Sequence, residues 1–230
     1  DNNDETLSNK KINHIESINL IYTLCGTTNC GIQGYISQTE AFNTFIMNRT
    51  LWNIFNHQEQ LYLLKILNNI VSIENKQAQS NNIPILLELQ FIPWLLHYIQ
   101  YLYTTREEEE EEEFKIQVLT SSLTILSNIL IQTSNTQNYT TNLKYVLDFI
   151  ISIDKLFDTH QNLSKLKKVQ YNLLLFLYNM MNQSTIDIVL MAIDIIDVNW
   201  FLGLFLSTHR YITNDDDNEK YMLLYLKCLQ

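Results

Sequence analysis

The chain has 230 residues, 46% of them hydrophobic, with a formal net charge of −10 and only 4 Gly and 2 Pro. The acidity argues against a nucleic-acid or anionic-membrane surface, because both need clustered Lys and Arg. The shortage of Gly argues against a β-sandwich or Rossmann domain of this size, whose tight turns and phosphate loops need positive φ angles; Asn and Asp, which cap helices and tolerate turns, take over as punctuation.

In chain order, residues 1–14 are polar and read as a disordered segment or linker. Ile15, Ile18, Leu20, Ile21 and Leu24 form a short helical stripe ending at Gly26, and residues 25–34 form a loop with three of the four glycines. Ser37 or Thr39 caps a helix carrying Ala41, Phe42, Phe45 and Ile46. Thr50 is the expected N-cap of a short helix over 51–55. Residues 57–74 make the clearest amphipathic helix, with Leu61, Leu64, Ile66, Leu67, Ile70, Val71 and Ile73 on one wide face.

Residues 75–82 read as a polar connection. Pro84 then fits the first turn of a helix over 83–89, where a missing N–H costs nothing. Pro93 starts the next, over 94–103, whose expected buried side is Trp94, Leu95, Tyr98, Ile99 and Leu102. The run Glu107 to Glu113 is expected as an acidic loop insertion near 104–113, since like charges at i,i+4 oppose a helix. Its last residues can still begin the following helix, because an acidic first turn suits the macrodipole. Residues 114–132 repeat Ile116, Leu119, Leu123, Leu126, Ile129 and Leu130 at helical spacing. Helices over 143–153 and 163–181 follow a polar 133–141 segment, then one over 186–196 capped by Ser184, and short ones over 200–206 and 219–229.

The sum is an all-α chain of about ten helices. Helix pairs recur every roughly 40 residues, the period of armadillo and HEAT units. Such units bury one apolar face against the next pair, so residues 15–230 are expected to form an armadillo/HEAT-like α-solenoid segment rather than a closed bundle.

Motifs for catalysis are missing from the sequence. No G-x-S-x-G elbow, Walker loop or dinucleotide fingerprint occurs. The five histidines (His14, His57, His97, His160 and His209) are never spaced i,i+4, and His97, on an apolar helix, reads as a hydrogen-bonded packing residue. Cys25, Cys30 and Cys228 are odd in number and lack zinc-site spacing, which fits a reducing, cytoplasmic setting. Asp187, Asp194 and Asp197 share roughly one helix face and read as a solvated ridge; Asp215 to Asp217 lack the Gly and Glu of a calcium loop. The first ten residues are too polar for a signal peptide. The apolar stretch 83–102 is broken by Glu88, Pro93, His97 and Gln100, so no transmembrane segment is expected. No cofactor or metal is expected either. Trp94 lies among Tyr98, Tyr101 and Tyr103, and Lys165, Lys167 and Lys168 form a small basic patch. Trp52, Trp94 and Trp200 are the candidate interaction residues, since a solvent-facing Trp marks a binding hot spot.

One segment adds a family resemblance. Leu51-Trp52 is followed by Gln58-Glu59-Gln60-Leu61-Tyr62-Leu63-Leu64 and, after a polar gap, by Asn82-Ile83-Pro84-Ile85-Leu86-Leu87-Glu88-Leu89-Gln90-Phe91-Ile92-Pro93-Trp94-Leu95-Leu96. This resembles the helical, armadillo-like region upstream of the PH–BEACH module in BEACH-domain proteins of the neurobeachin type. It covers roughly residues 42–153, and Gln90 stands where a turn Gly is common. The resemblance implies a piece of a large cytoplasmic scaffold in membrane trafficking, with peripheral attachment to vesicles through other domains and no catalytic residues. The expected function is therefore a non-enzymatic scaffold segment binding protein partners or other domains of its own chain. The rival readings are a helical bundle binding a lipid or other apolar ligand, and a helical enzyme of an uncharacterised kind.

Overall fold

The computed structural model describes residues 48–72, 76–104, 112–133, 139–157 and 163–183, with 190, 192, 194, 196, 199–203 and 227. The protein is all-α: each element with described bounds is a helix, namely α1 (Arg49–Ile54), α2 (His57–Val71), α3 (Lys76–Glu88), α4 (Phe91–Thr104), α5 (Glu112–Gln132), α6 (Tyr139–Phe157) and α7 (Leu163–Gln183). The chain divides into two compact units, Asp1–Phe91 and Ile92–Gln230. The readings made for 1–47, for 105–111, for most of 184–198 and for 204–230 apart from Lys227 lie outside the described residues.

In the first unit, helix ends are tied by side-chain amides. Asn48, not Thr50, caps α1: its Oδ1 accepts from the Thr50 N–H at 3.0 Å, and Thr50 is itself helical. Asn56 caps α2 in a reciprocal box: its Oδ1 accepts from the Glu59 N–H at 2.9 Å, while Glu59 Oε2 accepts from the Asn56 N–H at 2.7 Å. Two of the orphan donors at this helix start are thus satisfied. Of the expected apolar face, Leu64, Ile66, Leu67, Ile70 and Val71 are buried, Leu61 is half-buried and Ile73 lies outside the described residues; Leu63 is buried beside them. Each such side chain contributes about 1.5–3 kcal/mol when fully removed from water. The helix stops at Val71 rather than at residue 74, because Ser72 is extended at φ −61°, ψ 134°.

The buried Gln60 stitches α1 to α2. Its Nε2 donates to the Trp52 carbonyl and to the Phe55 carbonyl, each at 2.8 Å. Trp52 O belongs to the last turn of α1, where carbonyls have no partner within the helix. Asn82 does the same at the far end of α2, donating to Ile70 O at 3.3 Å. Asn82 is itself fully buried.

This Asn82 contact accompanies the main departure from the expected boundaries. Residues 76–82 are not a connection; they are the first half of α3. Lys, Gln and Ala are good helix formers, and Asn82 is polar because it meets a carbonyl inside the fold, not because it meets water. Pro84 therefore sits inside α3 rather than in its first turn. It is exposed, and on an exposed face water can solvate the carbonyl that loses its partner. An interior Pro still costs about 3 kcal/mol relative to Ala. α3 ends at a turn in which Gln90 takes a left-handed φ of 54°, and the Gln90 N–H donates to Leu87 O at 3.0 Å.

In the second unit, Pro93 is the third residue of α4, still within the first turn where no N–H partner exists. Trp94, Leu95, Tyr98 and Ile99 are buried as expected, Leu102 is half-buried, and Ile92 and Leu96 are buried as well. α5 begins at Glu112, so two residues of the acidic run form its first turn. Ile116, Leu119, Leu123, Leu126, Ile129 and Leu130 are all buried. α6 starts at Tyr139, four residues ahead of the expected start, and buries Tyr139, Leu143, Val146, Leu147, Ile150 and Ile153.

α5 packs most extensively on α7, and α6 touches both. A polar bridge crosses the α5–α7 contact: Asn172 Nδ2 donates to Thr120 Oγ1 at 2.7 Å, and that hydroxyl donates to Ile116 O at 2.8 Å. Glu113–Gln132 is long and apolar enough to cross a bilayer by length and composition, yet 67% of its most apolar stretch is buried inside the protein. Core helices of folded domains have the same composition.

Candidate functional site

The three tryptophans divide. Trp52 is 1% exposed and Trp94 is 4% exposed. Neither is a surface anchor: Trp52 sits in the α1 turn held by Gln60, and Trp94 stacks on Tyr98, with ring centroids 5.9 Å apart and planes 6° from parallel. One turn of α4 places the two rings at i and i+4, where helix neighbours meet. Burial, not partner binding, accounts for both tryptophans.

Trp200 is different. It is half-buried and packs with Phe201 against the fully buried Leu174 of α7. Tyr171, Leu175 and Tyr178 of α7 pack on the same Leu174. The spacing 171, 174, 175, 178 puts these four on one helix face. Lys227 Nζ lies 5.7 Å from the centre of the Tyr178 ring, within reach of a cation–π attraction. The result is a cluster of two tyrosines, a tryptophan and a phenylalanine, partly open to solvent, with a cation at one edge. Such a group can bury apolar or aromatic side chains of a partner while its polar edges stay wet. The α7 spacing was visible in the sequence; the approach of residues 200, 201 and 227 was not, because it depends on long-range chain return.

Few of the remaining sequence candidates fall among the described residues. His57 and His97 are both exposed, so His97 is not a packing residue: it lies on the outer face of α4 beside the buried row. Asp194 is exposed, while Asp187 and Asp197 lie outside the described residues, as do His14, His160, His209, the three cysteines and Asp215 to Asp217. The Lys165, Lys167 and Lys168 backbone is in α7, but their side chains lie outside the described set. Among the described residues no three His, Cys, Asp or Glu side chains gather to hold a metal ion.

Among the described residues, the titration shifts fall on two tyrosines of α4. Desolvation raises the hydroxyls of Tyr98 and Tyr103 far above the ordinary tyrosine value of 10.0. Both therefore stay neutral, as expected for packed phenols rather than for proton donors. Tyr101, between them, is 53% exposed.

Comparison with known proteins gives no relative: no family model, no curated protein and no solved structure matches this chain.

Proposed function

We propose that this chain is a non-catalytic protein-interaction scaffold, built as an armadillo/HEAT-like solenoid segment of about ten helices. The observation that supports this reading is the packing of α5 on α7 across one intervening helix, with α6 against both. In a solenoid each helix stacks on its counterpart in the next repeat, two elements on, while its pair forms the second layer. The half-open aromatic cluster of Tyr171, Tyr178, Trp200 and Phe201 is the surface we assign to partner contact. On the sequence resemblance, the proposal extends to a cytoplasmic, membrane-trafficking protein of the BEACH type, with partners that are proteins or other domains of the same chain.

Small-angle scattering tests the architecture. A solenoid gives a rod-like regime with a cross-section two helices thick, each helix about 10–12 Å across. A compact globule of this length gives a radius of gyration of about 17 Å and no such regime. The binding role is tested with a fluorescent fatty acid. Saturable one-to-one uptake, competed by unlabelled lipid, would overturn the scaffold reading in favour of a bundle with an enclosed apolar pocket.

A further inference from the structure

We draw no further inference here: the strongest candidate, the aromatic cluster on the Tyr171–Tyr178 face of α7 with Trp200, Phe201 and Lys227, is the surface already assigned to partner contact, and nothing in the structure shows what covers it.

Discussion

Gln60 offers the sharpest test of how the first unit is held together. Replacing it by Leu keeps a similar volume and removes one amide that donates to two carbonyls, Trp52 O and Phe55 O, at 2.8 Å each. The amide is buried, and so are the residues that own both acceptors. Each lost bond costs about 1 kcal/mol net, and an acceptor left buried without a donor costs about 1–3 kcal/mol. Two such acceptors, offset in part by the gain in apolar packing of Leu, put the loss at roughly 2–4 kcal/mol. That is a large share of the ~5–15 kcal/mol that stabilises an ordinary domain. The damage should be local first, because the bonds tie α1 to the start of α2. Amide hydrogen exchange reads it directly: protection in α1 should fall by about 30-fold or more, by the conversion of 1.4 kcal/mol to a factor of ten, while α5 and α7 keep theirs. Gln60→Glu should be worse at neutral pH and partly relieved in acid, since only the protonated acid can donate to a carbonyl. Wild-type protection of α1 in Gln60→Leu would refute the reasoning, and so would an equal loss in all helices.

Three further outcomes are expected. Gln90→Gly should stabilise the protein by about 1 kcal/mol in urea denaturation, because a left-handed φ of 54° costs a side-chain-bearing residue roughly 1–2 kcal/mol; a destabilised Gly variant would show that the turn is not held in that conformation. Asn56→Ala should cost about 1 kcal/mol in the same assay, through loss of the side-chain acceptor for the Glu59 N–H, while the backbone N–H of residue 56 can still donate to Glu59 Oε2; no change would mean that α2 does not need its cap. Tyr98 and Tyr103 predict alkaline unfolding. Their folded-state values are raised, so the stability they contribute is complete below pH ~10 and is lost as pH climbs toward the folded values, while the unfolded chain releases its phenolic protons first. Tyr98→Phe should move the onset of alkaline unfolding to higher pH by circular dichroism; the same onset as wild type would count against burial as the cause.

The helical class and most of the buried faces follow from the sequence alone, because a repeat of apolar residues at helical pitch leaves one face that must leave water. The row from Ile116 to Leu130 and the row from Leu64 to Val71 are cases of this. The start of α2 at His57 was expected from the apolar pattern alone; the Asn56–Glu59 box that closes it, in which an Asn three residues ahead of a Glu satisfies two backbone donors, is a local signal that the sequence reading did not use.

Tertiary structure decided what depends on distant partners. Residues 76–82 are polar enough for a loop, yet they are helical, and Asn82 is buried where it meets the open carbonyl of Ile70. Two of the three tryptophans are core and one is half-open, a difference set by which helices cover them and invisible to composition. Local pattern specifies which face of a helix turns inward; only the packed fold specifies what that face, or an unpaired carbonyl at the helix end, will meet there.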